Sequence, residues 1–217
     1  MNLIILGHQG SGKGTQATLI AEKYKLKHYE AGKILRSISQ SDNKYAAKVA
    51  EALNSGNLVP DELVRLIAWD YINKHNQNTG FIFDGYPRSV PQFLHLEDML
   101  KKFGKRIDMV INLEINKQES IRRLSSRRVF EKCGNIYNLI NNPTPNQNCS
   151  CGGNLIQRED DKPQAISRRL DIYHQTTHPV FDLARKQGIT VHIDGGQSIE
   201  KVFSQITSHI DSTILSS

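Results

Sequence analysis

Gly7-His8-Gln9-Gly10-Ser11-Gly12-Lys13-Gly14-Thr15 decides how this 217-residue chain is read. The apolar run Leu3 to Leu6 precedes it, and Gln16 to Tyr24 follows, with Ala17, Leu19, Ile20 and Ala21 suited to a packed helix. A strand, a glycine loop and a helix in that order make a phosphate cradle. Glycines let backbone N–H groups converge on an anion at a helix N-terminus, where the dipole also favours negative charge. Lys13 is then the positive charge that reaches the β- and γ-phosphates. The spacing G-x-x-x-x-G-K is that of a P-loop with one departure: Gly14 follows the lysine directly, and the hydroxyl comes one place later, at Thr15. A turn that only caps a helix has little need of so many glycines and a lysine. The implied ligand is a nucleotide.

Outward from this loop the chain alternates strands with helices. Lys27 to Glu30 reads as a second strand, and Ala31 to Asn57 as a small polar helical lobe, Ile34, Leu35 and Ile38 sharing one face and Tyr45, Val49 and Leu53 another. Pro60-Asp61-Glu62 opens a helix through Leu63, Leu66, Ile67 and Tyr71, where Trp69 is a packing residue. Gly80 to Gly85 is an apolar strand ended by Asp84; Pro91 to Phe103 is a helix, Asp108 to Leu113 a strand, and Lys117 to Arg128 an arginine-rich helix. Val191 to Asp194 and Ile199 to Ile210 supply a last strand and helix. The predicted fold is α/β: a P-loop, doubly wound, parallel five-stranded sheet whose ligands lie beyond the strands' carboxyl ends. Gly7, Asp84 and the turn after Leu113 should meet at that rim. Between Val129 and Lys162 helical periodicity stops, and the length of the stretch favours a functional lid over a passive connection.

Hydrophobic residues at 38% and charged residues at 23% describe a globular chain long enough to bury a full core. No basic segment leads a long apolar run, which excludes a signal peptide or membrane span on this reading and predicts a cytoplasmic protein. Lys plus Arg number 28 against 22 for Asp plus Glu, so polyanions are the favoured partners. Cys133, Cys149 and Cys151 crowd one short segment, and their odd count argues against a disulfide framework.

Asp84-Gly85-Tyr86-Pro87-Arg88 ends the third strand at the same rim as Lys13. Asp84 could hold a water on Mg²⁺ bridging the phosphates, and Arg88 presents a planar fork for a phosphate. Arg123 and Arg127, four apart, would share a face of the predicted helix, where like charges repel unless a triphosphate lies against them. Arg158 follows the irregular segment and Arg169 lies on the next helix, so both could close on phosphates when the segment folds over. Tyr137 could stack on a base. His8, His28, His95, His174, His178 and His192 are read as surface or core residues.

Together these residues resemble the adenylate kinase family over nearly the whole chain. The resemblance rests on G-x-x-G-x-G-K-G-T-Q at Gly7 to Gln16, Gly32 followed by Arg36, Gly56-x-Leu58-Val59-Pro60-Asp61-Glu62, and Asp84-Gly85-x-Pro87-Arg88 followed by Gln92. It continues with Arg123-x-x-x-Arg127-Arg128-Val129, Tyr137, Arg158-x-Asp160-Asp161 and Arg168-Arg169-Leu170. It implies a monomeric enzyme converting ATP and AMP reversibly into ADP with Mg²⁺. Gly10, Ser11, Gly12, Lys13, Gly14, Thr15 and Arg127 would hold ATP, with Ile136, Tyr137 and Gln197 near it. Ala31, Arg36, Asn57, Leu58, Val59, Gly85, Tyr86, Pro87, Arg88 and Gln92 would serve AMP, Gln92 bonding the adenine edge. Arg123, Arg158 and Arg169 would gather around the transferring phosphoryl group. Residues 30–59 would be the monophosphate-binding domain and 126–161 the lid, on a core of 1–29, 60–125 and 162–217.

Departures from the family pattern carry information too. Ala31 stands where adenylate kinases commonly have threonine and is similar to UMP/CMP kinases; Lys33 replaces an acidic residue, and Gln197 a frequent lysine. Zinc-bearing relatives have two C-x-x-C pairs in the lid. Here the corresponding places hold Phe130, Cys133, Asn148 and Cys151, with Cys149 one step out of register, and no histidine lies within the lid. Two in-register thiolates do not make the closed four-ligand site that structural zinc wants, so packing is the favoured role. The rivals are a pyrimidine monophosphate kinase and a nonenzymatic nucleotide- or nucleic-acid-binding protein; the lack of a basic stripe with interleaved aromatics argues against nucleic acid.

Overall fold

The computed structural model describes residues 1–75, 79–140 and 149–215. Five parallel strands make the main sheet: β1 (Asn2–Gly7), β2 (Lys27–Glu30), β3 (Phe81–Asp84), β4 (Met109–Glu114) and, last in the chain, β8 (Thr190–Asp194). Their order is β2-β3-β1-β4-β8. Every residue of β1 is buried, as a central parallel strand covered on both faces requires. Its side chains alternate between two cores. Leu3 and Ile5 pack with Ala17 and Ile20 of α1 (Lys13–Tyr24) and with Val202, Ile206 and Ile210 of the last helix, α9 (Ile199–Leu215). Ile4 and Leu6 point the other way, to Ala68 and Ile72 of α4 (Asp61–His75) and to Phe93 and Leu96 of α5 (Val90–Lys101).

Neighbouring strands β1 and β3 thus send their helices α1 and α5 to opposite faces, which opens a crevice between them. The register sets what lines it: Ile5 pairs with Asp84, and Gly7 with Leu113. The expected meeting of Gly7, Asp84 and the end of the Leu113 strand at one rim is met.

Two short helices, α2 (Ala31–Ser39) and α3 (Ala46–Asn54), follow β2 directly. The irregular segment contains a second sheet of order β6-β5-β7, built from β5 (Arg127–Phe130), β6 (Ile136–Asn138) and β7 (Leu155–Ile156). This corrects the arginine-rich helix expected through Arg128. That helix, α6 (Lys117–Ser125), stops because the Ser126 hydroxyl turns back onto the carbonyls of Arg122 and Arg123 and also meets Asn138 of β6. Arg123 and Arg127 therefore sit on different elements and share no helix face.

After the second sheet the chain runs as one long helical segment: α7 (Pro163–Ile172), a π turn at Tyr173–Thr177, and α8 (His178–Lys186). Pro179 has no amide hydrogen to continue the regular ladder, and the amide of His178 reaches back to the Tyr173 carbonyl across the wider turn. Thr177 Oγ1, within this turn, donates to the Arg88 carbonyl at 3.0 Å.

Candidate nucleotide site

At the end of β1 the loop takes its shape from three glycines at positive φ, Gly7, Gly10 and Gly12. A Cβ on Gly7, at φ +144°, would fall 2.0 Å from the Leu113 carbonyl oxygen, and Gly12, at φ +94°, is the N-cap of α1. Lys13 folds back so that Nζ donates to the carbonyls of Gly7 at 2.8 Å and His8 at 2.7 Å. Burial pushes its ammonium down to about 7, and Arg88, Arg169 and Arg127 add to the shift against the opposing pull of Asp84. The Ser11 hydroxyl is buried with no hydrogen-bond partner among the described residues.

The loop opens on a cleft of about 1300 Å³ lined by Gly10 to Gln16, Asp84, Arg123, Arg127, Ile136 and Gln197. A cleft of that size exceeds the ordinary range for one small ligand. Beside it lies a narrow recess of about 50 Å³ that holds most of the residues expected around a monophosphate: Ala31, Arg36, Asn57, Leu58, Val59, Gly85 and Gln92. Arg36, Arg88, Arg158 and Arg169 line both spaces.

These guanidinium groups crowd one another. Burial is the main force that lowers Arg169 to about 9 and Arg36 to about 10, and Arg158 repels both; Arg88 is lowered mainly by burial as well. Carboxylates hold several of them. Arg158 grips Asp160 with two bonds, of 2.8 and 2.5 Å, and Arg169 reaches the same carboxylate at 3.0 Å. Burial pushes the Asp160 carboxyl up, but Arg169 and Arg158 outweigh it and hold the group at about 2. Arg127 makes a two-pronged pair with Asp161, and Arg123 is tied to Glu119 at 2.6 Å and to the Gly195 carbonyl at 3.0 Å. Arg88 donates from Nε to the Gly85 carbonyl at 2.9 Å.

Asp84 turns one carboxylate oxygen toward the loop at Gly14, within 3.4 Å of where a Cβ there would stand. Among the described residues its one ion pair is a long one, 3.9 Å to His28. A hard oxygen donor lining the cleft fits Mg²⁺, which keeps most of its waters and takes few protein ligands.

Not every expected residue arrives at the site. Tyr137 sets its ring edge-on against Phe130, 5.2 Å between centroids, while its strand neighbour Ile136 faces the cleft, as alternation along β6 requires. The cleft lining at this strand is therefore Ile136 and Asn138, with Tyr137 between them turned to Phe130. Tyr86 is fully buried among Tyr29 and Phe83 and carries the turn, and Pro87 lines the large cleft instead of the recess. The Gln197 amide is engaged with the Asp194 carbonyl and with Gln205. His174 and His178 do stand four apart on the helical segment, yet His174 packs edge-on against His8 and His178 pairs with Asp182.

In the second sheet the Sγ atoms of Cys133, Cys149 and Cys151 all lie within 4.8 Å of one another, with Cys133 and Cys149 at 3.7 Å. Cys149, out of register in sequence, is thus drawn in by the turn that carries it. Among the described residues no fourth His, Cys, Asp or Glu joins the three, and Asn148 lies outside the described residues. Sequence reasoning gave no site role to Asp160, Asp161, Glu119 or Asp61. The run Arg158-x-Asp160-Asp161 held the signal for the first two, because carboxylates so close to a needed arginine serve as its partners.

A family model described as adenylate kinase matches residues 5–189. The adenylate kinase of Methanothrix thermoacetophila is 40% identical over 95% of this chain and 97% of its own length. That of Archaeoglobus fulgidus is 39% identical over 97% of this chain and 98% of its own, and that of Pyrococcus horikoshii 40% over 97% and 96%. Matched by the family model over most of its length and 39–40% identical to these relatives, the chain belongs to the adenylate kinase family.

Proposed function

We infer that the protein is a phosphotransferase that moves the γ-phosphoryl group of ATP onto AMP, reversibly, giving two ADP. The observation that carries this reading is the set Arg36, Arg88, Arg158 and Arg169 lining recess and cleft alike. Two nucleotides whose phosphates meet end to end repel each other, and shared guanidinium groups at the junction offset that repulsion while fixing alignment.

In this reading Gly10 to Thr15 hold the triphosphate through backbone amides and Lys13, Arg127 closes over it, and Ile136 and the backbone at Gln197 flank the base. Arg36 and Arg88 grip the monophosphate, Ala31 and Asn57 to Val59 line its pocket, and Gln92 meets the adenine edge. Arg123, Arg158 and Arg169 stabilise the moving phosphoryl group. Asp84 would hold Mg²⁺ through water, and the ion brought in with ATP would supply charge neutralisation at the phosphates. The acceptor oxygen of a nucleoside monophosphate is already ionised at neutral pH, so no side chain has to remove a proton. Water must be kept from the same phosphoryl group. Residues 30–59, as a monophosphate-binding domain, and 126–161, as a lid, would close on the core of 1–29, 60–125 and 162–217 to exclude it. The reading includes a monomer working in the cytoplasm, and among the described residues no helix is long and apolar enough to cross a membrane.

An ADP-forming assay with AMP, CMP and UMP as acceptors tests the assignment. Ala31, which lines the recess, is the feature that keeps a pyrimidine kinase as the second reading. AMP as the best acceptor supports the first; faster turnover with CMP or UMP supports the second.

A further inference from the structure

Gln92 is 2% exposed, yet it lines the recess, and its side-chain amide is held from two sides. The backbone N–H of Arg88 donates to Gln92 Oε1 at 2.7 Å, and Gln92 Nε2 donates to Asp61 Oδ1 at 2.6 Å. The other Asp61 oxygen accepts from the Ser89 hydroxyl at 3.1 Å, and that hydroxyl in turn accepts from the Gln92 backbone N–H. Both partners of the amide have a single polarity. A backbone N–H can only donate and an ionised carboxylate can only accept, so the amide has one orientation that satisfies both, and a flip would set donor against donor and leave the carboxylate facing oxygen. Asp61 opens α4, the helix-start role that the sequence suggested for it.

A primary amide has two N–H bonds and two acceptor positions. Once Arg88 and Asp61 have each taken one, a single N–H and a single lone pair remain, side by side, for a ligand in the recess. That pair matches a base edge with a ring-nitrogen acceptor next to an amino donor, as adenine and cytosine present. Bases with a ring N–H next to a carbonyl, such as hypoxanthine and uracil, present the reverse order and meet like against like. We propose that Asp61 is a positioning residue that fixes the Gln92 amide and thereby selects amino-bearing over keto-bearing nucleoside monophosphates. The proposal rests on the reading that Gln92 meets the base of the acceptor nucleotide, and it adds what sets the direction of that contact.

The test is the ratio of kcat/KM for AMP to that for IMP, measured for the full chain with saturating MgATP. Asp61→Asn has the same shape but can turn either an oxygen or an NH₂ group toward Gln92, so the ratio should fall by about threefold to tenfold. Asp61→Leu removes the acceptor altogether and should lower the ratio further, by more than about tenfold. In both, the KM for ATP stays within about twofold of the wild-type value while the KM for AMP rises. A merely structural aspartate would lower the melting temperature without changing the AMP:IMP ratio, and that result in Asp61→Asn overturns the proposal even where Asp61→Leu does not fold. Gln92→Ala separates the two levels of the argument. An unchanged ratio in Gln92→Ala removes the base-contact reading itself; a collapsed ratio there, with Asp61→Asn and Asp61→Leu as selective as wild type, removes only the role of Asp61.

Discussion

Arg127 and Asp161 are joined across 34 residues of sequence by two nearly parallel bonds, Nε to Oδ2 at 2.7 Å and Nη2 to Oδ1. The Asp161 side chain is fully buried, and only 15% of that of Arg127 reaches the surface. The pair fastens the first strand of the small sheet to the short turn Glu159–Asp161 that leads into α7. Removing the carboxylate strands a nearly buried guanidinium. Asp161→Ala should therefore cost about 3 kcal/mol in denaturant unfolding, against less than about 1 kcal/mol for an exposed pair. A loss in the smaller range would show that the pair is ornamental.

Arg88 has a different exposure to loss. Its Nε is fixed by the Gly85 carbonyl, so its remaining N–H groups are aimed with little freedom. Arg88→Ala should lower kcat/KM for AMP by about 10²-fold or more, the scale expected when one well-placed charge is removed from a transferring group. The KM for ATP should change far less. Near-normal AMP phosphorylation by this variant would remove Arg88 from the acceptor site.

Lys13 makes nucleotide binding depend on pH. Its ammonium, pushed down to about 7 by burial, is largely neutral in the ligand-free protein at pH 8, whereas a triphosphate favours the charged form. ATP binding at pH 8 should thus take up a proton, which calorimetry in HEPES and Tris detects as a difference in heat, and affinity should weaken as pH rises above 7. Lys13→Met should abolish the uptake. For the ligand-free fold the sign is opposite. Between about 7 and the ordinary lysine value the unfolded chain binds more protons than the folded one, so this group makes stability rise with pH there.

Three thiols with no fourth His, Cys, Asp or Glu beside them among the described residues fall short of the closed tetrahedral set. Purified protein should carry well under one equivalent of zinc, and EDTA should leave its melting temperature unchanged. A stoichiometric metal content together with a drop of several degrees on chelation would reverse that reading.

The sheet was legible because its strands carry their own punctuation: an apolar run into glycine at Gly7, and an apolar run into a carboxylate at Asp84. The ring of arginines was legible from spacing and charge. What escaped were features set by partners distant in sequence. The end of α6 depends on Ser126 meeting Asn138, and the second sheet depends on pairing across a stretch with no periodic signal. Tyr137 looked like a base platform, but strand alternation gives the cleft to Ile136. Asp61 read only as a good residue for a helix start, since the amide it holds lies 31 positions away.

The long helical segment with its π turn links Arg169 to the backbone of Arg88. Arg169 rides on its first half, and Thr177, within the turn, holds the backbone of Arg88. If both guanidiniums meet the phosphates as proposed, a displacement of this segment would move the two together. A change at Thr177, which carries no charge, should consequently be felt by both substrates at once.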